Sequence, residues 1–128
     1  MKRFLRENFP ENQFFETESI HIHFPEGASK KDGPSAGIAI ASALMSMALN
    51  KPYNIDYAMT GEISLNGKVL KIGGLKEKSL AAKREGVRKI ICPKENEGDF
   101  KEMKSYIIEE MEFHFVKEYK EVFKLLFT

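Results

Sequence analysis

The sequence predicts a mixed α+β domain with short βα units, a β-hairpin and a buried central helix. Three observations carry that reading. Short β-type and helical segments alternate through the second half of the chain, the pattern of strands joined by helical crossovers. Asn66-Gly67 stands between two apolar-alternating runs, a strong hairpin signal. Ser35–Leu49 (SAGIAIASALMSMAL) holds no charged residue, so a helix there is apolar nearly all round and belongs in a core.

Taken in order, residues 1–18 are mixed and weakly helical, interrupted by Pro10. Ser19–Phe24 (SIHIHF) alternates apolar with polar and reads as a half-buried strand. Pro25–Pro34 (PEGASKKDGP), rich in Gly, Pro and charge, is a long loop that feeds the uncharged helix. After Pro52, the runs Tyr57–Thr60 and Ile63–Leu65 read as strands, and Lys68–Ile72 returns from the Asn66-Gly67 turn. Gly73-Gly74 breaks the pattern, Leu75–Glu85 is a helix, and Gly86 ends it. Lys89–Cys92 is a strand stopped by Pro93, Glu95–Glu110 an amphipathic helix, Glu112–Val116 a strand and Glu118–Leu126 a final helix. No internal repeat or low-complexity segment interrupts this order.

The 128 residues allow one domain, and 42% hydrophobic with 30% charged residues is ordinary for a folded chain. Lys plus Arg number 20 against 19 Asp plus Glu, so there is no basic surplus to bind nucleic acid. The uncharged stretch is too short to cross a bilayer. The N-terminus has basic residues but no apolar stretch of the kind a secretory signal needs. Cys92 is alone and has no internal disulfide partner. Gly61–Lys68 has the wrong spacing for a phosphate loop, with Val69 where Ser or Thr belongs, and Gly27–Gly33 fails too. Any ATP used must therefore bind outside this chain.

Chemistry has few candidate positions. Ser35 stands at or near the first position of the uncharged helix, where unpaired N–H groups and the helix dipole gather. A serine there is either an N-cap or a nucleophile whose oxyanion meets nearby N–H groups. Gly33 before it would let the backbone approach a substrate. A serine nucleophile needs a base. At about 100° per residue, Lys78 falls on one arc with Leu75, Ala81 and Ala82, opposite Lys76 and Lys83. Lysine among small apolar residues is desolvated and gives up its proton more readily; the alternative is a snorkelling surface lysine. His21 and His23 share one strand face and offer a rival base, but no Cys or carboxylate pattern accompanies them as a metal site. His114 has no partner, and Cys92 reads as a small core residue.

Residues from about 18 to 127 resemble the proteolytic domain of Lon, the ATP-dependent serine–lysine protease family. The segment HIHFPEGASKKDGPSAG is similar to the family's nucleophile segment, with Ser35 matching its serine. AMTGEISLNGKVLKIGGLKEK resembles the segment carrying the catalytic lysine, and Lys78 is the matching residue. ICPKENEGDF and EFHFVKEYKEVFKLLF follow the family's C-terminal pattern, and Lys30 departs from it where proline is usual.

The resemblance implies a single domain over 1–128 that lacks the start of the family's proteolytic domain, and an ATPase module elsewhere that holds ATP and magnesium. It implies cleavage of unfolded or damaged proteins by a Ser35–Lys78 dyad, without a catalytic histidine, metal or cofactor in this chain, in a parent that forms a hexameric ring. Thr60 matches a family threonine whose hydroxyl would orient the lysine amine, and Asp32 would shape the nucleophile loop. The last segment looks closer to mitochondrial than to bacterial forms. The mitochondrial matrix is therefore expected for a eukaryotic chain, and the cytoplasm for a bacterial one. A Ser–His hydrolase, a non-catalytic Lon-like interaction domain and a plain binding module are the alternatives.

Overall fold

The computed structural model describes residues 1–23 and 35–127. The loop expected at Pro25–Pro34, with Asp32 and Gly33, lies outside the described residues. The mixed α+β class holds. Helices α1 (Lys2–Asn8) and α2 (Phe14–Thr17) come first, flanking Pro10, then α3 (Gly37–Leu49). Strand β1 (Tyr57–Met59) precedes the hairpin strands β2 (Glu62–Ile63) and β3 (Val69–Leu70), and helix α4 (Leu75–Arg84) follows. Strand β4 (Lys89–Pro93), a 3₁₀ turn at Lys94–Asn96, the short helices α5 (Glu97–Glu102) and α6 (Ser105–Ile108), β5 (Glu112–Val116) and α7 (Tyr119–Leu126) complete the order.

Strands β1, β4 and β5 form a parallel sheet in the order β1-β4-β5, with Ala58 beside Ile90 and Ile90 beside Phe113. Side chains alternate across a strand, so this sheet serves two cores. Ile90 and Cys92 face a cluster with Leu75 and Ile72, on which Ala58, Ala82, Phe113 and Phe115 pack. Ile91 and Val116 face the other way, into a larger cluster with Ile38, Met45, Tyr119 and Val122 that Tyr57 and Met59 join. The hairpin docks through Val69 N–H to Lys117 O (2.8 Å) and Tyr119 N–H to Gly67 O (2.8 Å). Helix α7 starts with a capping box between Glu118 and Glu121.

Four local expectations need correction. Ser19–His23 is exposed and not a strand, apart from half-buried Ile20; among the described residues no strand lies beside it, and alternation makes a strand only where a neighbour takes the N–H and C=O groups. Helix α3 buries one stripe, Ile38, Ala41, Ser42 and Met45, rather than its whole circumference, and Met47 on its outer side is 56% exposed. Asn66-Gly67 is not the centre of a two-residue turn. Gly67 N–H bonds Ser64 O at 3.0 Å, so Leu65-Asn66 occupies the centre and Gly67 follows at φ 80. Asn66 has no positive φ, which the mirror-image turn would require.

The fourth correction is the helix expected over Glu95–Glu110. It is broken: Met103 is extended at ψ 143, and Glu110 turns back at φ 64. The return to β5 sets the length available: Glu112 lies beside Lys89, so the chain runs back along the five residues of β4, about 17 Å, where one helix over Glu95–Glu110 would be about 24 Å long.

Candidate active site

Ser35 is half-buried in the turn that opens α3. Its carbonyl is held twice, by Gly61 N–H at 2.9 Å and by the Thr60 hydroxyl at 3.4 Å. Gly61 O in turn accepts Ile38 N–H at 3.0 Å, and Thr60 N–H donates to Ile91 O at 3.0 Å. The start of α3 therefore hangs on the end of β1, and β1 hangs on β4. Two glycines permit this approach. A Cβ on Gly37 would sit 2.8 Å from Ile63 N, and one on Gly61 would sit 2.9 Å from a Val69 methyl group.

Lys78 lies in the first turns of α4, where its N–H donates to Gly74 O at 3.0 Å. Gly74 takes φ 74 to start the helix, a left-handed conformation that glycine adopts at little cost. Lys78 is half-buried, and its Nζ donates to Gly73 O at 2.8 Å. The helix arc expected around it holds in part. Leu75 is buried and Ala82 half-buried, but Ala81 is exposed, and Lys83 is half-buried with its amine on Tyr106 O at 2.6 Å. Lys76 is exposed, as its place on the outer side requires.

Ser35, Thr60 and Lys78 line one cleft of 230 Å³. Its other walls are Ala36 just before α3, Ala39 of α3, Ala58 and Met59 of β1, and Ile90 of β4. The small apolar surroundings of Lys78 thus come from other elements more than from its own helix. Among the described residues, no hydrogen bond joins Ser35 Oγ to Lys78 Nζ. The Thr60 hydroxyl donates to the Ser35 carbonyl and keeps its acceptor lone pairs. A larger groove of 340 Å³ between α1, α3 and the hairpin has its polar groups elsewhere engaged, with Ser64 committed to the turn and Tyr119 to Ser42. The small cleft is the candidate because of its chemistry, not its size.

The other candidates fall away from this cleft. His21 and His23 stack at 6.4 Å in an exposed segment. His114 Nε2 pairs with Glu112 at 2.6 Å and packs edge-on against Tyr57. Cys92 is fully buried, and burial pushes its thiol up to about 12, so it behaves as core. Gly61–Lys68 forms the hairpin rather than a phosphate loop before a helix, so this segment offers nucleotide no cradle. Sequence reasoning missed Gly37 and Gly61; the visible signal was a glycine directly after each of Ala36 and Thr60, beside the candidate residues.

The whole chain has relatives. Residues 2–128 match the family model described as the Lon protease (S16) C-terminal proteolytic domain, which takes in the N-terminal residues left out of the sequence resemblance. A "Lon protease homolog, mitochondrial" of Drosophila melanogaster is 53% identical over 99% of this chain, and that of Rattus norvegicus is 53% identical over 98%. The Homo sapiens protein of the same name is 49% identical over 98%. The chain spans 12% of the Drosophila protein's length and 13% of the other two. With a match across nearly its whole length, the chain belongs to the Lon protease (S16) C-terminal proteolytic domain family.

Proposed function

We propose that this chain is the peptide-bond-hydrolysing part of a longer Lon-type protease, with Ser35 as nucleophile and Lys78 as general base. The observation that supports it is the meeting of Ser35, Thr60 and Lys78 on one small cleft in a member of this family. A neutral amine has two N–H donors and one lone pair. One N–H keeps Gly73 O, and the lone pair takes the Ser35 hydroxyl proton as Oγ attacks the scissile carbonyl. The C–N bond breaks as the same ammonium returns that proton to the leaving amine. Water then hydrolyses the acyl-Ser35 ester by the reverse sequence.

The developing oxyanion is met by N–H groups at the start of α3. Ile38 N–H is committed to Gly61 O, so the donors are those nearer Ser35. Thr60 and Gly61 hold the Ser35 carbonyl, and the Thr60 hydroxyl oxygen, still able to accept, orients the Lys78 amine. Asp32 and Gly33 shape the approach to Ser35. The substrates are unfolded or damaged proteins. In the longer protein, unfolding and delivery belong to an ATPase module that binds ATP and magnesium, and the assembly is a hexameric ring. The protein works in the mitochondrial matrix if it is eukaryotic, a reading that the relatives' names support, and in the cytoplasm if it is bacterial.

The test is hydrolysis of an unstructured peptide by protein carrying this domain. Ser35→Ala is expected to lower turnover by about a thousandfold or more while leaving the thermal transition in place. Undiminished turnover in that variant rejects Ser35 as the nucleophile.

A further inference from the structure

We infer that Asn96 is a positioning residue for Lys78, acting through the backbone of Ile72 and Gly73; the inference rests on the Ser35–Lys78 reading. Among the described residues, the Lys78 amine is held by one carbonyl, Gly73 O, at 2.8 Å. That carbonyl lies on a stretch of two consecutive glycines, Gly73 and Gly74. Gly73 has open space where a Cβ would stand, and Gly74 after it adopts φ 74. Two consecutive glycines leave the peptide free to swing unless a neighbour fixes it.

Asn96 is that neighbour. Its side chain is fully buried and treats Ile72 as a strand partner would. Ile72 N–H donates to Asn96 Oδ1 at 3.1 Å, and Asn96 Nδ2 donates to Ile72 O at 2.9 Å. Nδ2 also donates to Asp99 Oδ2 at 2.7 Å. This third bond reinforces the orientation that Ile72 already sets, because a flipped amide would oppose donor to donor at Ile72 N–H and acceptor to acceptor at Ile72 O and Asp99. One residue earlier, Glu95 Oε1 accepts Lys71 N–H at 3.2 Å.

The stretch Lys71–Ile72 is thus clamped to the 3₁₀ turn after β4. Ile72 is itself buried against Leu75, Ile90 and Cys92. The clamp ends one residue before the carbonyl that aims the amine. It also accounts for a fully buried asparagine at the start of what the sequence reads as a simple amphipathic helix.

Competitive acetylation of the folded chain tests this, with exposed Lys76 as internal reference and amide exchange at Ile91 as the check on folding. Asn96→Asp keeps the shape but sets a carboxylate against Ile72 O. Asp99→Ala removes one acceptor from Asn96 Nδ2 and loosens the amide that the two Ile72 bonds still orient. In each, the Lys78-to-Lys76 labelling ratio is expected to rise by about threefold to tenfold, the worth of one lost hydrogen bond. Glu95→Gln keeps an acceptor for Lys71 N–H and is expected to leave the ratio unchanged.

Where Ser35→Ala has abolished peptide hydrolysis, the first two variants are expected to lose about tenfold in kcat, with KM within about twofold. The pH dependence of kcat/KM is also expected to move, which a smaller folded fraction would not produce. An unchanged labelling ratio in variants that keep Ile91 protection overturns the inference, whatever the activity. So does a changed ratio with undiminished kcat. Activity that survives Ser35→Ala is a failure of the protease reading instead.

Discussion

At the scale of single residues, two lysines two positions apart have opposite circumstances. Lys78 is half-buried, on the cleft and bound to Gly73 O, whereas Lys76 is exposed. If Lys78 is the base, its shape and charge are not interchangeable with those of arginine. Guanidinium stays protonated at any working pH and has no lone pair to accept the Ser35 proton. Lys78→Arg is therefore expected to be as inactive in peptide hydrolysis as Lys78→Ala, a loss of about a hundredfold or more. Lys76→Ala is expected to stay within about twofold of the parent. Substantial turnover in Lys78→Arg would move the base elsewhere. The sequence placed Lys78 and Lys76 on opposite sides by helical period alone, and that much was legible. The partners of Lys78 were not. Gly73 O is a backbone group with no signature, and Ala39, Ala58 and Ile90 come to line the same cleft only through tertiary packing.

At the scale of elements, the joint between α3 and the β1 end decides where Ser35 stands. Gly37 fits there because it has no Cβ, and an added one would meet Ile63 N at 2.8 Å. Backbone does not yield as a side-chain tip does, so Gly37→Ala is expected to push α3 away from the hairpin. The expected cost is about 1–3 kcal/mol of stability, read as a lower urea midpoint. Peptide turnover per folded molecule falls with it, because Gly61 N–H loses its hold on the Ser35 carbonyl. A variant with unchanged midpoint and turnover would show that the joint does not set Ser35. Elements whose signals are local were legible: β4 with its Pro93 stop, β5, and α4 with Gly86 after it. Those that depend on distant neighbours were not. Ser19–His23 has the alternation of a strand without a neighbour among the described residues, and Glu95–Glu110 has the period of one helix that is broken where the chain must return to set Glu112 beside Lys89.

At the scale of the whole molecule, one thin parallel sheet separates two cores, and each holds a buried acid whose neutral form the fold prefers. Cys92 faces the smaller core, and desolvation raises its thiol from 9.0 to about 12. Tyr119 belongs to the larger core, where desolvation raises its phenol from 10.0 to about 12, against a smaller opposing effect of its 3.0 Å hydrogen bond with Ser42. Both shifts are upward, so the stability they provide is fully present below the unfolded-state values. As pH rises, the unfolded chain sheds the Cys92 proton from 9.0 and the Tyr119 proton from 10.0, while the folded chain keeps both until about 12. Unfolding therefore becomes easier across that window. Urea midpoints are expected to be level from about pH 7 to 8 and to fall between about pH 9 and 11. Cys92→Ala is expected to start lower, from the lost packing, yet to fall less steeply in the first part of that window. Tyr119→Phe keeps the ring and is expected to flatten the later part. Because the two groups sit on opposite faces of the sheet, the double variant should show the sum of the two flattenings. Slopes unchanged by both substitutions would mean that the alkaline loss arises elsewhere and that neither core disfavours these charges.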